Sequence, residues 1–270
     1  MNNNELNIPV LLGMPRSASR VTWQILKFLL PKTKPESWYP DFDFPDHDWP
    51  VRRHAYISEI PAIYTYRHPV EAYLSYLSRV RQDLGKQVPK LLTTADPKTG
   101  LHLVDMDDTY LMTEVTAAKD VMVAIGDQWK VYNTLKADEK AGRNVLFLKY
   151  EDYYDDQKAR IEAVAEFVGV DVSKDMMDTI LKFTDIKLNA KRGQAITDYF
   201  PESIFSHGYN RETGIQKGHI NTNVWGEPGR YISSNPEFMM DVYTGAQPAL
   251  QALNEMCAAF GYDVMEITGV

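Results

Sequence analysis

Apolar residues along this chain fall into two kinds of block: short uninterrupted runs, and longer stretches in which they recur every three or four positions. The first run, residues 8–12, ends in Gly13, and after a loop to Ser19 the stretch 21–30 carries helical spacing. The same order returns further on. An apolar, β-branched run at 61–66 leads through Arg67-His68-Pro69 into a helical pattern over 70–84, and a helix over 110–135 leads to another strand at 144–149. Helical patterns follow at 160–168, 176–183 and 236–260. Residues 31–50, 87–109 and 189–234 show no period and read as loops that cover a ligand. No internal repeat is present. Strand and helix in alternation predict one α/β domain over residues 1–270, three layers thick, with a central parallel sheet flanked by helices. Ligands in such folds gather outside the carboxyl ends of the strands.

Composition narrows the function classes. With 270 residues, 44% of them hydrophobic, the chain can bury a substantial core. No window approaches the roughly 18 apolar residues a membrane span needs, and the start, Met1-Asn2-Asn3-Asn4-Glu5, has no basic and apolar leader. Cys257 is the single cysteine, so no disulfide can form within the chain. These features predict a cytoplasmic protein with no membrane partner. The formal charge of −8 argues against nucleic acid as a partner, since phosphate binding along a duplex needs a basic face. A small anion is still admissible, because a few cations and backbone N–H groups set a local field whatever the global charge.

The loop between the first strand and its helix is Gly13-Met14-Pro15-Arg16-Ser17-Ala18-Ser19-Arg20. At that place successive N–H groups and a helix N-terminus form a phosphate pocket, as in P-loop nucleotide-binding folds. Against the triphosphatase pattern Gly-x-x-x-x-Gly-Lys-Ser/Thr, Ala18 replaces the second glycine, Ser19 the lysine and Arg20 the magnesium-binding hydroxyl, which disfavours a kinase. On its own the segment is equally consistent with an ordinary strand-to-helix turn.

The loop resembles the phosphosulfate loop of the sulfotransferases that use 3'-phosphoadenosine 5'-phosphosulfate (PAPS). Pro15, Arg16, Ser17 and Ser19 match that motif, with Ala18 and Arg20 departing from it, and Trp23 lies two residues beyond the usual aromatic position. Arg67 and Ser75, eight residues apart around Pro69, resemble the same family's 3'-phosphate motif. Tyr150, in Lys149-Tyr150-Glu151-Asp152, resembles its adenine-neighbouring tyrosine, and Lys217-Gly218 resembles the segment that closes over the nucleotide, with Gln216 in place of arginine. The resemblance implies PAPS as co-substrate, 3',5'-adenosine bisphosphate (PAP) as product, and a small-molecule acceptor carrying a hydroxyl or an amine.

Sulfuryl transfer needs a base for the acceptor's proton, cations for charge building on the leaving oxygen, and in-line geometry. Val51-Arg52-Arg53-His54 resembles the family's base-bearing segment, which implies His54 as base and Arg52, with Arg16, as stabilisers of the leaving group; Glu59 is the second candidate base. His47, His102, His207 and His219 show no paired ligand spacing, so no metal is expected. The acidic, aromatic run of Asp41, Phe42, Asp43, Phe44, Asp46, Asp48 and Trp49 is in the first instance a solvated loop, or else a contact for a cationic acceptor. Two other readings remain at this level: a P-loop kinase-like phosphotransferase, and a non-catalytic protein that binds adenosine bisphosphate.

Overall fold

The computed structural model describes residues 7–32, 50–53, 56–57, 60–76, 93–95, 102–104, 108–194, 227–229 and 247–263. The strands are β1 (Val10–Gly13), β2 (Arg52–Arg53), β3 (Ala62–Tyr66), β4 (Thr93–Ala95), β5 (His102–Val104) and β6 (Val145–Lys149). The helices are α1 (Ser19–Leu29), α2 (69–76), α3 (Asp108–Lys140), α4 (Gln157–Val168), α5 (Lys174–Thr184), α6 (Ile186–Gln194) and α7 (Gln247–Ala259), with a 3₁₀ turn at Glu151–Tyr153. They fall into two compact units, one of residues 1–66 and 130–222, the other of 67–129 and 223–270.

The first unit holds a parallel sheet in the order β2-β1-β3-β6. Its two central strands are near-continuous apolar runs because both faces are covered: Val10, Leu11, Leu12, Ala62, Ile63 and Tyr64 are fully buried. Strand alternation sends Tyr64 and Tyr66 to one face, where Tyr132 of α3 and Phe147 of β6 meet them, with Tyr64 and Tyr132 rings 5.9 Å apart. Thr65 takes the other face. Helix α1 packs with α4 and α5, where Phe28 meets Phe183 edge to face at 4.9 Å. It stops at Leu30, whose N–H still reaches Leu26 O at 2.9 Å, because Pro31 has no N–H to continue.

In the second unit, β4 and β5 form an antiparallel pair, α2 follows the Arg67-His68 turn, and just past α7 Phe260 packs on Trp129 and Tyr262 on His68. Cys257 is buried there, 3.7 Å from His68 Nδ1, and burial pushes its thiol up to about 12.

The parallel α/β architecture is the one the sequence predicts. Several boundaries differ. Residues 87–109, expected to be loop, contain β4, β5 and the first two residues of α3; α6 occupies the start of the stretch 189–234; and α3 runs from 108 to 140 rather than from 110 to 135. β2 was not expected at all, since two arginines give no strand pattern; its register with Leu11 and Leu12 makes it one. No helix of the described residues is long and apolar enough to cross a membrane.

Candidate functional site

The loop after β1 is held by β3 and by unusual backbone. A methyl group on Gly13 would come within 2.2 Å of Thr65 Oγ1, so only glycine lets the two strand ends approach this closely. Met14 N–H then donates to Thr65 O at 2.9 Å. Arg16 and Ala18 both take left-handed backbone, with φ of 66° and 63°, a conformation that costs a residue with a Cβ about 1–2 kcal/mol. Ser17 is turned inward between them: its Oγ lies 2.6 Å from Met14 O, 3.0 Å from Thr65 O and 2.7 Å from Thr65 Oγ1.

Those dihedrals decide how α1 begins. Its N-cap is Ala18, which offers no side-chain hydrogen bond, and its first turn carries no acidic residue. Helices α4 and α5 begin otherwise: Asp156 accepts from Ala159 N–H at 2.9 Å, and Ser173 from Met176 N–H at 3.2 Å. A helix start with neither a capping oxygen nor a carboxylate is suited to an anion.

Of the residues singled out in the sequence, Pro15, Arg16, Ser17, Ala18, Ser19 and Arg20 lie together on this loop and its helix start. Arg52 joins them: β2 pairs with β1, and Arg52 Nη1 donates to Ser19 Oγ at 3.4 Å. Trp23 donates its indole N–H to Pro50 O at 2.7 Å, and Lys27 Nζ stands 4.8 Å from its ring centroid.

Tyr150 directly follows β6, its N–H bonded to Tyr66 O at 2.7 Å, so it stands level with the end of β3. Beside it is a residue with no sequence signal, Arg160. It is buried in α4, with its guanidinium 5.8 Å from the Tyr153 ring centroid. Burial draws Arg160 down to about 10, with Tyr150 and Tyr153 acting in the opposite sense, so it is still a cation at neutral pH.

In the second unit, Arg67 and Ser75 are both buried, 3% and 5% exposed, which separates Arg67 from an ordinary surface arginine. Its Nη2 donates to Oε2 of Glu71 at 3.0 Å, and Glu71 is itself wholly buried. The pair is one turn apart on the chain, the spacing at which helical side chains meet. A carboxylate without solvent needs such a cation, so Glu71 fixes one edge of the guanidinium fork.

His54, Glu59, Lys217 and Gly218 lie outside the described residues, as do residues 33–49 with the acidic, aromatic run. The sequence pointed to neither Thr65, which secures Ser17, nor Glu71 as a partner of Arg67. The four-residue spacing of Arg67 and Glu71 was a usable signal for the second; the first depends on strand register.

Comparison with known proteins adds the family. The sulfotransferase domain matches residues 54–223. No curated protein matches the sequence. Among solved structures, the chain is similar to the mouse sulfotransferase SULT7A1 complexed with PAP, at 14% identity and a TM-score of 0.46, over 92% of this chain and 88% of that one. The domain match spans well over half of the chain and runs through His54, Arg67, Ser75, Tyr150, Lys217 and Gly218, so the chain belongs to the sulfotransferase family, enzymes that move a sulfuryl group from PAPS to an acceptor.

Proposed function

We propose that the chain transfers the sulfuryl group of PAPS to a hydroxyl or amine of a small-molecule acceptor, with the 13–20 loop holding the phosphosulfate end and Arg67 and Ser75 holding the 3'-phosphate. The observation that carries this is the loop itself: a helix start without cap or carboxylate, bearing Arg16, with Arg52 brought beside Ser19 from the neighbouring strand. Two cations there can take up charge on the leaving phosphate oxygen as the S–O bond breaks, and a preorganised loop does so without reorganising. Tyr150 is proposed to flank the adenine, and Lys217-Gly218 to close on the nucleotide. His54, or else Glu59, takes the proton that the acceptor loses as it attacks sulfur.

The acceptor is proposed to be contacted by residues of 31–50, 87–109 and 189–210. The two units are proposed to make one sulfotransferase domain, a reading supported by a family match that runs through both. A cytoplasmic location is supported by the single cysteine, buried and held as a thiol.

Calorimetric titration tests the donor. PAP should bind more tightly than ATP with magnesium, and Arg67→Ala should abolish the preference; tighter ATP binding would overturn the assignment. His54→Ala should remove turnover while PAP affinity holds, and retained turnover would pass the role to Glu59.

A further inference from the structure

Helix α3 ends in a turn that begins a second set of contacts. Gly142, at φ 96°, takes the left-handed position after the helix, and Arg143 N–H returns to Asp138 O at 2.9 Å. This turn sends the Arg143 side chain back toward the segment between β2 and β3. Its Nη2 donates to Ile57 O at 2.7 Å and also to Ile60 O, its Nε to Ile60 O at 2.8 Å, and its Nη1 to Asp138 Oδ2 at 2.6 Å. Tyr56 completes the set, donating its hydroxyl to the same Asp138 oxygen at 2.6 Å with its ring centroid 5.4 Å from the Arg143 guanidinium carbon.

Arg143 is 11% exposed, so these are charge-assisted bonds screened from most solvent. They hold the main-chain carbonyls of Ile57 and Ile60. The chemistry matches the geometry: Tyr56 and Arg143 hold the Asp138 carboxyl below its usual range, and burial followed by the Asp138 contact raises the Tyr56 hydroxyl.

In the sequence, His54 falls between Arg53 and Tyr56. On one side Arg52 and Arg53 are in register with Leu11 and Leu12; on the other is Tyr56. Acceptor activation demands that a base be placed to within a fraction of an ångström, and a support that slackens costs rate more than it costs donor binding. We propose that Tyr56, Asp138 and Arg143 are positioning residues for sulfuryl transfer, a clamp that fixes Tyr56, Ile57 and Ile60 shortly after Arg52 and His54 in the sequence. The proposal rests on the reading of Arg52 and His54 given above.

The test compares wild type with Arg143→Met, Arg143→Lys, Tyr56→Phe and His54→Ala in three measurements: PAP affinity, transfer from PAPS to 2-naphthol, 1-hexanol and aniline, and amide exchange over 50–60. Arg143→Met should lower kcat about 30-fold with the PAP Kd and the KM for PAPS within about twofold, and exchange over 50–60 should rise. Arg143→Lys, which keeps one charged donor without the fork, should recover part of the loss. Tyr56→Phe, the mildest change, should cost about threefold and keeps the test open should Arg143→Met not fold.

Unchanged exchange over 50–60 would overturn the clamp whether or not any probe accepts sulfate. So would a kcat within twofold of wild type, or a PAP affinity that falls in step with kcat. His54→Ala separates the two ideas. Should it alone keep full turnover, the base assignment fails and the clamp is judged on the Arg143 variants; should it be inactive beside a normal Arg143→Met, only the clamp fails.

Discussion

The loop at 13–20 and the stretch from Arg67 to Ser75 follow β1 and β3, two neighbouring strands of one sheet, and are proposed to hold different phosphates of PAPS, yet they are built by different means. The first is a backbone device: a glycine against Thr65, two non-glycine residues in left-handed conformation, and an inward serine. The second is a side-chain device, a buried arginine held by a buried glutamate. A site made of dihedral angles tolerates changes according to the room for a Cβ. A site made of paired charges tolerates them according to whether the charges still balance.

The largest consequence falls on the charge pair. Arg67→Met removes the cation 3.0 Å from buried Glu71, which should cost about 3–5 kcal/mol and abolish PAP binding. Adding Glu71→Leu removes the buried carboxylate and should restore most of the stability without restoring binding. Urea unfolding and calorimetry on the single and double variants check both halves. A double variant as unstable as the single would show that packing at 67, rather than charge, is what matters there, and the contrast between the regions would shrink.

Gly13→Ala probes the other device. Its methyl must push against Thr65 Oγ1, and the later approach of Thr65 O at 3.3 Å leaves little space to yield, so a loss of about 1–3 kcal/mol is expected. Thr65→Ala in the same chain removes the clashing oxygen and should return much of it, at the expense of the Ser17 contact. Thermal unfolding of the two variants distinguishes this steric account from a general preference for glycine: only the steric account predicts the rescue.

The two devices were unequally visible in the sequence. The positions of both were plain, because an apolar run, a short polar segment and a helical period mark a strand, its loop and its helix. The i,i+4 spacing of Arg67 and Glu71 is also written in the chain, although their complete burial depends on what packs over α2. The loop's conformation was hidden. Left-handed backbone is expected of glycine or asparagine, and here Arg16 and Ala18 adopt it, held there by contacts from Thr65 that are 48 residues away from Ser17. β2 was hidden for a related reason, since its strand character comes from β1 and not from its own two arginines. The Arg143 clamp spans 83 residues to Ile60 and leaves no local trace.

The smallest expected effect separates backbone from charge within the loop itself. Ala18→Gly removes the left-handed cost of about 1–2 kcal/mol, offset in part by about 0.5–1 kcal/mol of added unfolded-chain freedom, for a net gain of roughly half a kcal/mol. Thermal unfolding should register it as a rise of about 1–2 °C, with PAP affinity unchanged. Arg16→Gly relieves the same strain, since φ is nearly equal at the two positions, but deletes a cation. If the loop binds phosphate through its amides alone, the two variants behave alike. If Arg16 supplies charge to the leaving oxygen, Arg16→Gly should be as stable as Ala18→Gly and lose turnover, so the pair of glycine variants measures how far the backbone device depends on a side chain.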